Sequence, residues 1–305
     1  MTRKSPDLSM AVGVVGASGF LAGHLIPALA RAGHVPRVFG RTPGNRPVGR
    51  VQLPPSQISD LAGLDTVIHL AGIAHQKASA QDYATVNVDF AANVATLCRD
   101  AGVGRFIFIS TSQVHGRYSE TAIGPHSPYN PPSDYAASKL RAEIRIRDLL
   151  ETSGTDFCVI RPTLVYAADA KANFRKLKIA ARSGLPLPLG HADAKRSMVS
   201  IENLNNSIIT LASGSHKNAI LIPADPEDLS VSDIYDALCR AAGHARVPRL
   251  PAPVWTMRAI LTASGQSDMY DSLFRRAIVD RSHWADLGWT PKQSVAEALE
   301  LAMWN

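Results

Sequence analysis

The sequence predicts an α/β fold, a doubly wound parallel sheet with a smaller, mostly helical C-terminal domain, and three observations predict it. Short apolar runs of strand length alternate with helical patterns through the first half of the chain. The first of these runs, Ala11-Val-Gly-Val-Val, enters a glycine turn and a helix start, Gly16-Ala-Ser18-Gly19-Phe20-Leu21-Ala22-Gly23. Beyond Ala168 the alternation gives way to amphipathic helices joined by proline-containing connections. At 305 residues there is material for one large α/β unit with an elaboration, or for two modest domains.

Composition narrows the class further. Cys98, Cys158 and Cys239 are far apart and lie in apolar settings, which predicts buried thiols and neither a disulfide nor a metal site. No apolar run approaches membrane-spanning length, and the polar first nine residues have no hydrophobic stretch behind them. Neither membrane insertion nor a signal peptide is therefore expected, and the cytoplasm is the expected compartment. The net charge of +6 comes from scattered Lys and Arg without a basic block or interleaved aromatics. That pattern argues against a nucleic-acid partner and suits an anionic small ligand.

In chain order, the glycine turn comes first. Gly16 and Gly19 leave it without Cβ atoms, so backbone N–H groups at Ser18, Phe20 and Leu21 can approach a pyrophosphate, and the positive end of the helix over 20–32 stabilises the anion. Ala22 occupies the third glycine position, where a small residue lets helix pack on strand. A second strand is expected over 35–40, with Arg41 just past it, where the adenosine ribose of a dinucleotide would lie. No acid stands there to bind both ribose hydroxyls, and Arg41, with Arg37 or Arg46 nearby, could pair with a 2′-phosphate; the plainer reading is a solvated loop arginine. The cofactor is thus NADP or NAD, with NADP favoured.

Residues 43–55, rich in Pro, Gly and Arg, read as a loop around a short third strand at 49–53. Residues 65–72 form a fully apolar strand ending in Leu70, Ala71 and Gly72, as expected of a parallel strand with a cofactor at its carboxyl edge. His69 is expected to pack in the core. After a loop at 76–82, a helix over 83–101 carries Asn87, whose amide would brace active-site backbone or a water, or stand on the helix surface. The strand over 105–112 delivers the hydroxyls of Ser110, Thr111 and Ser112. Asp134-Tyr135-Ala-Ala-Ser138-Lys139 then opens a helix, with Tyr135 and Lys139 one turn apart on one face. A phenol titrates near pH ~10, and a nearby ammonium favours its ionised form, so Tyr135, Lys139 and a strand-end hydroxyl make a candidate proton-transfer site.

These residues, together with His69-Leu-Ala-Gly72, Val114, Gly116 and Arg161-Pro162, resemble the extended short-chain dehydrogenase/reductase family, and within it the nucleotide-sugar epimerase/dehydratase group. The resemblance runs from Ala11 to about Leu301. It implies a Rossmann-type NAD(P)-binding domain over 1–168 and a substrate domain over 169–305, with 197–224 returning to the first. It also implies that Tyr135 is the acid/base, that Lys139 orients the nicotinamide ribose and lowers the phenol's pKa, and that Thr111 assists the proton. Leu70, Ala71, Gly72, Asn87, Ser110 and Pro162 would line the cofactor, and Ser112 and Gln113 the sugar. Pro54-Pro55 stands where many members carry Gly-Asp against adenine.

In the second half, 156–166 reads as the sixth parallel strand, followed by a basic helix over 171–183. Gly184-Leu-Pro-Leu-Pro-Leu-Gly190 and residues 195–203 look like the family's nucleotide-diphosphate segment, with Asn173 and Arg196 matching its ligands. Residues 229–242 form an amphipathic helix, 248–253 a linker, and 255–304 mostly helices. Members that dehydrate nucleotide sugars follow the catalytic Thr with Asp and Glu; here Ser112 and Gln113 exclude that acid/base pair. Hydride exchange at the fourth carbon remains. The run Lys171-Ala-Asn173-Phe174 is most similar to the bacterial surface-polysaccharide subgroup of UDP-N-acetylquinovosamine dehydrogenases and UDP-sugar 4-epimerases. Reduction of a UDP-linked 4-keto-6-deoxy sugar is expected, with 4-epimerisation on tightly bound NAD as the alternative and a homodimer as a candidate assembly. A non-catalytic dinucleotide-binding regulator of the same fold is disfavoured, because Tyr135 and Lys139 are both present.

Overall fold

Strand β1 (Ala11–Val15) has parallel neighbours on both sides, β2 (Val35–Phe39) and β5 (Thr66–His69), which is why it is apolar on both faces. The computed structural model describes residues 9–304 apart from 47–48, 75–77, 171–172, 246, 252 and 266. The polar first eight residues, Gln76 in the expected loop and Lys171 at the start of the expected basic helix therefore lie outside the described residues.

Helix α1 (Phe20–Arg31) follows β1. After β2 come β3 (Gly44–Arg46) and β4 (Gly49–Gln52), and after β5 a helical run made of α2 (Ala80–Tyr83), a π-helical segment (Ala84–Asp89) and α3 (Phe90–Asp100). Ser79 caps this run by accepting the Asp82 N–H, so the helix starts earlier than its apolar pattern suggests. Then come β6 (Arg105–Ile109), α4 (Asp134–Leu150), β7 (Asp156–Ile160), β8 (Leu164–Tyr166), α5 (Asn173–Arg182), β9 (Met198–Ser200), α6 (Ile201–Ser213) and β10 (Ile220–Leu221). The remaining chain forms α7 (Val231–Ala241), α8 (Val254–Ala263), α9 (Ser267–Phe274), α10 (His283–Asp286) and α11 (Val295–Trp304).

The main sheet runs β10–β7–β6–β5–β1–β2–β4–β3, parallel except for β3, which pairs antiparallel with β4. One face is covered by α1 and α6, where Leu25, Ile26, Leu29, Leu204 and Ile208 pack on Val12, Val14 and Ile107. The other is covered by α3 and α4, where Val94, Ala95 and Ile146 pack on Val15, Phe106 and Phe108. This is the doubly wound, Rossmann-type arrangement. A third cluster, with Tyr166, Ile234, Tyr235, Leu238 and Leu299, forms the core of the helical C-terminal part. No helix among the described residues is long and apolar enough to cross a membrane.

Two elements differ from expectation. Residues 44–46, read as loop, form the edge strand β3, because the chain reverses and brings Asn45 opposite Arg50, giving β4 a partner on its outer side. The stretch 156–166 is not one strand. Pro162 lacks an N–H to continue the ladder, and beyond it β8 leaves the main sheet to pair in parallel with β9.

Buried Arg105, on β6, fastens the return of the chain to this sheet. Its guanidinium donates to the carbonyls of Leu211, Gly214 and His216 at 2.6, 2.5 and 3.1 Å, closing the open end of α6. Arg105→Met would leave those acceptors without their charged donor and is expected to lower stability by about 2–3 kcal/mol. Urea unfolding checks this, and an unchanged midpoint would show that water replaces the guanidinium without loss.

Candidate active site

The site is built at the carboxyl ends of β1, β5 and β6. Gly16 has φ +107°, and a Cβ there would stand 2.6 Å from the Ala71 nitrogen, so only glycine lets the end of β1 pass the end of β5. The amides of Gly16 and Ala17 donate to the Phe39 carbonyl, and those of Leu70 and Ala71 to the Val15 carbonyl, at 2.8–3.0 Å. These bonds staple three strand ends around the turn. Gly19 is different: its φ is −78° and a Cβ would only touch the Gly16 carbonyl at 3.4 Å. Nothing in the protein demands glycine there, whereas a ligand lying against the turn would. Helix α1 begins at Phe20 with no side-chain cap and no acid in its first turn, leaving its positive end open to an anion. A dinucleotide fits this cradle. Ser18, Phe20 and Leu21 all lie at its rim.

Arg41 is exposed just beyond β2. Arg37, read from the sequence as a possible companion to Arg41, is engaged elsewhere: its guanidinium donates to the carbonyls of Asp60 and Ala62 at 3.2 and 3.0 Å. The Arg46 side chain lies outside the described residues.

Tyr135 stands in the first turn of α4, which Ser133 caps by accepting the Ala136 N–H. Burial, with the neighbouring Tyr83 phenol, pushes its pKa up to about 12, and the Thr111 hydroxyl near it works the other way. Lys139 is buried one turn on, and its ammonium donates to the Ile109 carbonyl at 2.9 Å and lies 4.6 Å over the Phe108 ring. The expectation that Lys139 lowers the phenol's pKa does not hold in this geometry, because the desolvation of Tyr135 outweighs any pull from an ammonium whose bond goes to Ile109. Lys139 itself is brought down to about 8 by burial, with Glu143 opposing the fall.

Asn87 braces backbone rather than standing on a helix surface. Its amide oxygen accepts the Ile73 N–H at 2.7 Å, while its nitrogen donates to the Ile73 carbonyl and to Ser138 Oγ at 3.1 and 2.9 Å. The π-helical segment turns it inward, tying the loop after β5 to α4. A Cβ on Gly72 would lie 3.0 Å from Asn87 Oδ1 and 3.1 Å from Lys139 Nζ. Ser110 is buried with its hydroxyl unpartnered among the described residues. The Ser112 amide donates to the Pro162 carbonyl at 3.0 Å, which brings the two strand ends together. His69 packs against Phe90, Phe106 and Phe108, and burial followed by the Lys139 charge holds its pKa near about 3.

Sequence reasoning missed the support behind these groups. Fully buried Arg161 donates to Glu143, Tyr129 Oη, His115 Nε2 and the Pro125 carbonyl, using all five of its N–H groups. Arg161 itself was singled out in the sequence, with Pro162, but nothing there told which groups it would meet.

A cleft of about 360 Å³ opens beside the start of α4, lined by Gly116, Arg117, Tyr118, Asn130, Pro132, Asp271 and Arg275. Arg275 lies 4.9 Å over the Tyr118 ring. Arg196 donates to the Ser272 carbonyl, its Nε is buried without a partner among the described residues, and burial holds its pKa below the ordinary arginine value, with Tyr118 opposing the fall. Asn173 opens α5, but its side chain lies outside the described residues. Asp271 and Arg275 carried no motif and were read only as part of a helical region.

A profile of the NAD dependent epimerase/dehydratase family matches residues 12–219. A UDP-glucose 4-epimerase of Vibrio cholerae is 30% identical, covering 98% of this chain and 95% of its own. A ceramide reductase of Caulobacter vibrioides is 27% identical over 88% of this chain and 80% of its own. Among solved structures, a UDP-N-acetylglucosamine 4-epimerase from Bacillus cereus superposes with a TM-score of 0.78 at 17% identity, covering 97% of this chain and all of that one; at this identity the likeness speaks for the fold.

The depressed pKa of Lys139 carries a stability consequence. Below about 8 the ammonium is charged in both states and its burial cost is fully present. Between there and 10.5 the unfolded chain binds the extra proton, so folding stability rises with pH over that window. Lys139→Met is expected to stabilise the fold at pH 7 by on the order of 3 kcal/mol, a gain that fades as the pH rises from about 8 and is gone above 10.5. Denaturant melts at neutral and alkaline pH measure it; a variant less stable at pH 7 would mean the buried ammonium carries no penalty.

Proposed function

The chain belongs to the NAD dependent epimerase/dehydratase family and is an NAD(P)-dependent enzyme of it, and from that premise we propose that it exchanges hydride at the fourth carbon of a UDP-linked hexose. The observation that carries this reading is the buried Tyr135 phenol in the first turn of α4, one helical turn before Lys139, whose ammonium is fixed to the Ile109 carbonyl at the end of β6. When bound, the nicotinamide supplies or takes the hydride. Tyr135 would stand at the sugar's fourth oxygen, with Thr111 sharing that hydrogen bond, and move the proton that accompanies hydride transfer. Lys139, Asn87, Ser110, Pro162 and the loop from Leu70 to Gly72 would hold the nicotinamide half.

One feature favours reduction of a 4-keto-6-deoxy sugar nucleotide. Arg41, exposed where the adenosine ribose would lie, suits NADP, the reduced pool of which drives net reduction. Ser112 and Gln113 supply no carboxyl group, so 4,6-dehydration is not proposed. The second reading is 4-epimerisation on tightly bound NAD, favoured by the name of the Vibrio cholerae relative. Ser112, Gln113 and the cleft around Tyr118 would take the sugar, and Arg196, with Arg275 and Asn173, the diphosphate. In this reading residues 1–168 bind the cofactor and 169–305 the substrate, with 197–224 completing the first part, and the setting is cytoplasmic surface-polysaccharide synthesis.

Incubation with UDP-linked 4-keto-6-deoxyhexoses should consume NADPH, and incubation with UDP-hexoses without added cofactor should leave them unchanged; epimerisation in the second assay would decide for the alternative. Tyr135→Phe should bind cofactor as the parent does yet turn over at least about a hundredfold more slowly. Near-parental turnover would remove Tyr135 from the chemistry.

Arg41→Ala should weaken NADPH binding by about 1–3 kcal/mol and leave NADH nearly untouched. Equal losses for both cofactors, read by fluorescence titration, would reduce Arg41 to a surface residue.

A further inference from the structure

Strand order sets where the adenosine half of the cofactor lies. The pyrophosphate belongs on the glycine turn after β1, and Lys139, at the ends of β5 and β6, marks the side taken by the nicotinamide half. The other half therefore runs over the end of β2 and then of β4, one strand or about 5 Å further out. These ends are drawn together. The Gly40 N–H donates to the Gln52 carbonyl at 2.8 Å, and a Cβ on Gly40 would lie 3.2 Å from both Ala17 Cβ and Val51 Cγ1. With the ribose past β2, beside Arg41, the purine falls on the chain that leaves β4, Leu53-Pro54-Pro55. Leu53 is 60% exposed, Pro54 half-buried and Pro55 buried, so this segment offers an apolar edge whose prolines have no N–H to donate.

The carboxylates that could accept a purine's 6-amino group face other partners. Between Ala11 and Asn87 the acids are Asp60, Asp65 and Asp82. Asp60 accepts the N–H groups of Ser56 and Gln57 at 2.8 and 3.1 Å, and Asp82 that of Ser79 at 2.9 Å. Asp65 accepts the Ala11 N–H at 2.8 Å, at the opposite end of β1, and Asp169, which reaches α1 from the second half of the chain, pairs with His24 at 3.0 Å. Gln52, exposed at the end of β4, carries an amide that donates and accepts alike, so it suits either kind of purine edge.

We propose that the purine of the cofactor lies against Leu53 and Pro54 with its 6-position unread, so that this chain binds dinucleotides of hypoxanthine as tightly as those of adenine. The two bases have the same shape and present the same flat face to an apolar side chain. They differ in hydrogen bonding: adenine donates from its 6-amino group, whereas hypoxanthine accepts at a 6-oxo group and carries a proton on N1. A site built around a carboxylate separates them strongly, because one acceptor then faces another and is left unpaired. An apolar contact does not separate them. Affinity and orientation then come from the pyrophosphate, held by the glycine turn and the open positive end of α1.

Calorimetry with NADH and NADPH, each measured beside its hypoxanthine counterpart, tests the proposal. Pairing within each cofactor makes the comparison independent of Arg41 and of the sugar substrate. The dissociation constants of each pair should agree within about threefold. Leu53→Ala, at an exposed position, should keep the parental melting temperature and weaken both members of each pair equally, by at least about threefold. Reduced nicotinamide mononucleotide, which has no purine, should bind parent and variant alike. A preference for the adenine form beyond about threefold overturns the proposal, since a hydrogen bond then reads the 6-position. So does parental dinucleotide affinity in Leu53→Ala, which would put the purine elsewhere.

Discussion

Arg161 is the interaction on which the frame of the candidate site rests. It ends β7, is fully buried, and spends each of its donors on a different part of the surroundings: the Glu143 carboxylate on α4, the Tyr129 hydroxyl and Pro125 carbonyl of the intervening loop, and His115 at the end of the turn that begins at Thr111. Because His115 Nε2 accepts from Arg161, its Nδ1 carries the proton and donates to the Pro128 carbonyl at 3.2 Å. Burial and the adjacent guanidinium hold that imidazole below its ordinary pKa, hence neutral. A buried ion pair of this kind adds little net stability over an apolar substitute, and its value lies in excluding other arrangements. What it fixes here is the position of α4, through Glu143, relative to His115 and the loop at Pro125 and Tyr129.

Electrostatics around the site run against stability in the same place. Lys139 is desolvated, Tyr135 is desolvated, and Ser110 keeps a hydroxyl without a partner among the described residues. The surrounding structure tolerates this because its rigid parts are over-determined: Asn87 makes three hydrogen bonds from within a π-helical segment, and the glycine turn is stapled to two strand ends. Such local cost at a site held by a stable frame is the usual relation between activity and folding.

Much of this was legible in the sequence because it is local. The alternation of strand and helix patterns, the glycine turn and the Tyr135/Lys139 spacing each live within one element or one connection, where backbone geometry converts spacing directly into direction. The parallel order of the strands followed from their apolarity on both faces. The departure of β8 from the sheet had a local cause too, in Pro162, yet its new partner β9 lies more than thirty residues away.

Only the tertiary structure decided which way charged groups point and what they meet. Arg37 and Arg41 look alike in sequence, but the short turn carrying Asp60 and Ala62 supplies carbonyls to the first and nothing among the described residues to the second. Lys139 is expected from spacing to face the phenol, and its ammonium donates a hydrogen bond to the Ile109 carbonyl on β6. Arg275 meets Tyr118, and Arg161 meets His115, across long stretches of chain that no periodicity relates. Long side chains have many rotamers, and desolvation depends on every neighbour at once; both are settled by packing rather than by spacing along the chain.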